Sequence, residues 1–158
     1  MTDRRSKRTL LSFVITLALV GLALVGCGSD TGLDPQDIDF VDELQVDLSA
    51  MTRTASGLYF LDLMLGDGAV AEEGDRVVVD YAGWLPNGAQ FDAGTDTELE
   101  IGPDGGLIQG FDEGVRGMHV GGTRSLVIPP DLAYGDHVVG GIPANSTLVF
   151  RVTLKDIL

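Results

Sequence analysis

The chain of 158 residues holds a single cysteine, Cys27, and two histidines, His119 and His137. One cysteine cannot close an intramolecular disulfide, and two histidines make a histidine-based metal centre or catalytic triad improbable. Basic residues are also scarce: ten Lys and Arg stand against 24 Asp and Glu, for a formal net charge of −14. Such a surface argues against nucleic acid as a partner and against electrostatic docking on anionic lipid. The sequence has no Gly-x-Ser-x-Gly elbow, no Walker loop, no Gly-x-Gly-x-x-Gly after a strand and no His-Glu-x-x-His. Hydrolytic, nucleotide-driven and metal-assisted chemistry are therefore not expected, and no cofactor or metal is called for. There is no internal repeat.

Long apolar runs are absent but for one. Residues 10–26 are uncharged and strongly apolar, and they follow a basic cluster of Arg4, Arg5, Lys7 and Arg8. At 17 residues the run is short of the roughly 20 that a membrane-spanning helix needs, and it stops at Leu24-Val25-Gly26-Cys27. This end resembles the lipobox of bacterial lipoproteins. The resemblance implies that residues 1–26 are a signal peptide removed on export and that Cys27 carries lipid. It places the rest of the chain in the cell envelope, facing outside the cytoplasm in the periplasm or on the outer surface. Removing residues 1–26 takes away four basic residues and one acidic residue, moving the net charge from −14 to −17. Anchoring then falls to the lipid, because the protein surface repels anionic headgroups.

Residues 27–50 are rich in Asp and Gly and read as an acidic, solvated tether. Ile38, Val41 and Leu44 have the spacing of a helical turn and a half. The carboxylates of Asp34, Asp37, Asp39, Asp42, Glu43 and Asp47 lack the glycine-centred loop and closing Glu of a calcium site.

Residues 51–158 form the globular part, about 105 residues and enough for one modest core. Its centre is the stretch 107–118, LIQGFDEGVRGM. Ile108, Phe111, Val115 and Met118 recur at steps of three, four and three, along one side of a short helix. Gly110, Gly114 and Gly117 fall in the same stretch, each costing about 1 kcal/mol against Ala in a helix. Tertiary packing must therefore hold the helix, with something pressed against its backbone. Residues 58–65 are strand-like. Val77, Val79 and Tyr81 alternate with Val78, Asp80 and Ala82, and residues 90–92 resume extended structure after a turn at Pro86-Asn87-Gly88. Thr97, Leu99 and Ile101 alternate with Glu98 and Glu100. Residues 123–128 and 146–154 supply two further strands around a long loop at 131–145. The pattern predicts an α+β fold of about five strands wrapped around one short helix.

Taken in order, the motifs resemble those of FKBP-type peptidyl-prolyl isomerases over residues 57–158. The match runs through Val79-Asp80-Tyr81-Ala82-Gly83-Trp84-Leu85, then Asn87-Gly88-Ala89-Gln90-Phe91-Asp92, then Leu107-Ile108-Gln109-Gly110-Phe111-Asp112-Glu113-Gly114. Ala133-Tyr134-Gly135, Ile142-Pro143 and Thr147-Leu148-Val149-Phe150 complete it. The resemblance implies a curved antiparallel sheet around the helix and isomerisation of X-Pro bonds. It implies a catalytic pocket of Tyr81, Phe91, Asp92, Phe111, Tyr134 and Phe150, with Ile108, Ile142, Thr97 and Leu99 as substrate-binding positions. Phe111 would floor the proline ring between Tyr81, Phe91 and Phe150, while the Tyr134 hydroxyl and the Ile142 backbone N–H would hold substrate carbonyls. The partners implied are proline-containing polypeptides and macrolide inhibitors, and a monomer is expected.

Ala144 replaces the second proline of the family's usual pair, and three further features depart from the family pattern. Phe111 stands where Trp is usual, Thr97 where an aromatic wall is common, and the loop 136–141 is about one residue short. The second reading, a non-catalytic lipoprotein that grips proline segments in the same bowl, is favoured by these departures.

Overall fold

The computed structural model describes residues 34–158. The signal segment and Cys27 lie outside the described residues. Six strands form one antiparallel sheet: β1 (Thr52–Arg53), β2 (Tyr59–Met64), β3 (Arg76–Trp84), β4 (Gln90–Glu100), β5 (Thr123–Ile128) and β6 (Leu148–Ile157). Their order across the sheet is β1-β2-β5-β6-β3-β4. The sheet carries one α-helix, α1 (Gln109–Val115), on one face. The strand missing from the sequence reading is β1, two residues paired with the start of β2 and too short for any alternation to reveal.

The two extended stretches expected at 90–92 and 97–101 are one continuous strand. Their polar connection, Gly94-Thr95-Asp96, reads as a turn but is absorbed by a bulge. Val79 pairs with Thr97 and Tyr81 with Gly94, so the β4 side carries one residue more than the β3 side. Asp96 adopts a φ of 49° there, and its N–H is accepted by the Asp80 carboxylate at 2.8 Å.

α1 is shorter than the apolar spacing predicts. Ile108 is its N-cap and Arg116 leaves the helical region, while Gly117 takes a φ of 76°. The close approach demanded by the glycines is real at two of them. A Cβ on Gly110 would lie 2.4 Å from Ile128 Cγ2, and one on Gly114 2.6 Å from Leu126 Cδ1. Gly117 instead ends the helix. Phe111, Val115 and Met118 from this stretch join Val77, Val79, Leu126, Leu148, Phe150, Val152 and Leu154 in the main core. Arg124, almost buried in β5, ties the helix end down. Its guanidinium pairs with Asp62 at 2.6 Å, donates to the Gly114 carbonyl at 3.0 Å and lies over the Phe60 ring at 4.6 Å. A buried cation held by a carboxylate, an aromatic face and terminal helix carbonyls is compensated on every side.

The solvated tether is not what residues 34–50 form. They make two 3₁₀ turns, Pro35–Asp37 and Asp42–Leu44, and lie against the sheet face opposite α1. Tyr59, Val127, Val149 and Trp84 are register neighbours on β2, β5, β6 and β3, and together they make an apolar row across the sheet. Phe40, Val41, Leu44, Val46 and Leu48 cover that row. The acidic composition hid an alternation in which the carboxylates face water and the apolar residues between them face the sheet. Among the described residues no helix is long and apolar enough to cross a membrane.

Candidate active site

Between α1, the β3–β4 hairpin and the loop after β5 lies an open cavity of about 340 Å³. Four rings from four elements meet at its base. Phe111, in the first turn of α1, packs edge-on against Phe150 of β6 at 5.2 Å and against Tyr81 of β3 at 5.9 Å. Phe91 of β4 meets Phe150 edge-on at 5.4 Å. These edge-to-face contacts lock each ring by its neighbours, so the bowl is preformed. Phe111 and Phe150 are 5% exposed and belong to the hydrophobic core as well as to the cavity, whereas Tyr81 and Phe91 are half-buried.

Gly83 explains how Phe91 and Phe150 come so close. A Cβ there would stand 2.7 Å from an atom of each ring, so the backbone of β3 supplies the space. Asp92 is exposed at the rim, where its Oδ2 accepts the Tyr81 hydroxyl at 2.9 Å and its Oδ1 the Ala93 N–H. Burial raises the Tyr81 phenol above its ordinary value, and the hydrogen bond to Asp92 raises it further, since ionisation would place two negative charges together. The phenol thus stays protonated, donating to the carboxylate.

Asp112 positions the remaining wall. Its carboxylate accepts the Gly102 N–H at 2.7 Å and pairs with Arg116, fixing the loop that leads to Gly106 and Leu107 at the cavity edge.

Of the ten pocket positions named from the sequence, nine line this one cavity: Tyr81, Phe91, Asp92, Leu99, Ile108, Phe111, Tyr134, Ile142 and Phe150. Thr97 does not. Its hydroxyl fills the space beside Gly94, where a Cβ would stand 2.4 Å from it and 2.7 Å from the Tyr81 ring, next to the bulge and outside the cavity lining. The Ile142 N–H, expected to be free for substrate, is donated to the Val139 carbonyl at 2.9 Å, and the Val139 N–H returns to Ile142 at 3.1 Å. This small bridge is how the short loop folds, and it uses the donor. The sequence reading missed Gly106, Leu107, Val139, Gly140 and Gly141 as lining residues. The adjacent glycines 140 and 141 were the available signal, since a two-residue turn closing onto Ile142 brings its rim to the cavity. Among the described residues there is no cluster of three or more His, Cys, Asp or Glu side chains suited to a metal.

A family model described as FKBP-type peptidyl-prolyl cis-trans isomerase matches residues 68–155, which contain α1, β3, β4, β5, most of β6 and all four rings of this bowl. The chain belongs to the FKBP-type peptidyl-prolyl cis-trans isomerase family. The "FK506-binding protein" of Neisseria meningitidis serogroup B is 44% identical over 103 residues, covering 62% of this chain and 94% of that protein. The "FK506-binding protein 4" of Chaetomium thermophilum is 45% identical over 108 residues, 66% of this chain but 22% of that one. The chain spans 22–29% of the length of the fungal relatives that it matches in this way. The crystal structure of FkpA from Escherichia coli superposes with a TM-score of 0.64 at 37% identity, covering 73% of this chain and 55% of that one. The FKBP-type fold, one antiparallel sheet with a single short helix, is therefore shared, and the family is one of isomerases.

Proposed function

We propose that the protein accelerates cis–trans exchange of X-Pro bonds in exported polypeptides, working from the cell envelope through lipid on Cys27. The observation that carries the catalytic reading is the four-ring bowl with the Tyr81–Asp92 pair at its rim. X-Pro isomerisation faces a barrier of about 20 kcal/mol because the twisted amide loses its resonance. The twisted amide is also the less polar form, so an apolar bowl stabilises it relative to the planar ground state. Phe111 floors the proline ring, and Tyr81, Phe91 and Phe150 hold its sides. Asp92 keeps the Tyr81 ring oriented.

Two donors serve the substrate carbonyls. One is the Tyr134 hydroxyl on the cavity wall. The other is the backbone N–H of Ile108, which lines the cavity at the N-cap of α1 and takes no backbone partner among the described residues, as the first N–H groups of a helix do not. It replaces the Ile142 N–H in this role. The same apolar volume is offered to macrolide inhibitors. The export reading is supported by the basic cluster, the apolar run and Cys27 in sequence.

A second reading, proline-segment binding without catalysis, is favoured by the occupied Ile142 N–H and by Phe111 at the floor. Exchange spectroscopy by NMR on a short Xaa-Pro peptide series, with purified protein and with Asp92→Ala, separates the two. Acceleration of exchange that the variant loses is the expected result. Peptide binding without acceleration by the unmodified protein would instead make it a binding module.

A further inference from the structure

We infer that residues 36–48 act as a positioning strap for the reaction proposed above, gripping the β3–β4 turn and thereby holding Phe91 and Asp92 at the cavity wall. The inference rests on the isomerase reading of that cavity.

β4 is the edge of the sheet, with β3 as its one partner. An edge strand has half the ladder hydrogen bonds of an inner strand and opens more readily. The pairing of β3 with β4 is further weakened next to the wall, where the register shifts between Gly83, opposite Asp92, and Trp84, opposite Gln90. Phe91 and Asp92 therefore sit on an edge strand beside a register shift, a few residues from the turn at 85–89. The strap holds that turn from outside the hairpin. The Val41 N–H donates to the Pro86 carbonyl at 3.0 Å. Its side chain covers Gly88, whose φ is 83° and whose Cβ position lies 3.1 Å from Val41 Cγ2. Val41 and Leu44 also pack in one cluster with Trp84 at the end of β3. Both ends of the strap are fastened to β2, where Gln36 donates to the Tyr59 hydroxyl at 2.7 Å and Leu48 lies beside Tyr59. A segment tied to β2 at both ends and to the hairpin turn at its middle stiffens the edge that bears the wall. Val41 is thus a positioning residue, acting on substrate through Phe91 and Asp92.

Val41→Pro in the full chain tests this. The φ of −67° and ψ of 145° at Val41 suit proline, so the substitution removes the N–H donor with little backbone strain. Val41→Ile keeps donor and contact, and Met118→Ala, which empties a buried site outside both the strap and the cavity lining, serves as a stability control. Each variant is followed by melting temperature, by kcat/KM for X-Pro exchange and by the titration of Tyr81 in protein with 13C-labelled tyrosine. In Val41→Pro, kcat/KM should fall about tenfold, the scale expected when a positioning group slips by a fraction of an ångström. The Tyr81 titration should move down toward 10.0 as its bond to Asp92 loosens. Val41→Ile should match the parent, and Met118→Ala should lower melting temperature without moving either readout. The inference is overturned if Val41→Pro leaves both Tyr81 and kcat/KM unchanged, or if Met118→Ala shifts them in the same proportion to melting temperature. An unmodified protein that does not accelerate exchange would refute the isomerase reading alone, since the Tyr81 titration still reports whether the strap sets the wall.

Discussion

Gly83 and Tyr81 show how much of the site depends on single atoms. Gly83→Ala would drive a methyl carbon to 2.7 Å from the Phe91 and Phe150 rings, neither of which can turn without displacing the other. The variant should lose about 1–3 kcal/mol of stability, typical of overpacking. It should lose isomerase rate more than that loss alone implies, because the rings it displaces form the bowl; thermal unfolding and peptide exchange measured together check this. Tyr81 gives the alkaline behaviour. Its folded pKa lies above the ordinary 10.0, so the folded state keeps a proton that the unfolded chain releases. Stability from this group is full below pH 10 and declines as pH rises through the raised value. Tyr81→Phe should flatten that alkaline decline in denaturant midpoints measured from neutral pH upward. The residue types at these positions were legible in the sequence. The reason for Gly83 was not, because it lies in the approach of two side chains from other strands.

Among the elements, α1 was read from spacing and from its cost. Three glycines in one short helix called for close packing, and Ile128 and Leu126 provide it at Gly110 and Gly114. Gly114→Ala sets two effects against each other. The substitution gains about 1 kcal/mol of helix propensity. It also forces a methyl into a fully buried Leu126, at a cost of about 1–3 kcal/mol. Since Leu126 is enclosed on all sides, overpacking wins, and the denaturant midpoint should fall. The helix ends escaped the sequence reading because apolar periodicity continues to Met118 while the backbone turns out at Gly117. β4 escaped it for the opposite reason. Its middle has turn-like residues, and only the pairing with β3 shows that they form a bulge within one strand.

At the scale of the whole molecule, the row of Tyr59, Val127, Val149 and Trp84 gives the sheet a second apolar face, which residues 34–50 cover. The globular unit therefore includes residues 34–50 as well as 51–158. Cys27→Ser should release the protein from membranes into the soluble fraction while leaving peptide exchange unchanged. Fractionation with an activity assay of each fraction checks it, and a variant that stays with the membrane would end the lipoprotein proposal. The sequence by itself determined the class of fold, the central helix and nine residues of the cavity, because alternation and ordered motifs are carried by neighbours along the chain. Only the tertiary structure decided that the acidic N-terminal segment docks, that Thr97 falls outside the cavity lining and that Ile142 has already used its N–H. Each of these depends on which backbone donor or apolar surface a distant strand or loop leaves open, and that is settled by pairing across the sheet.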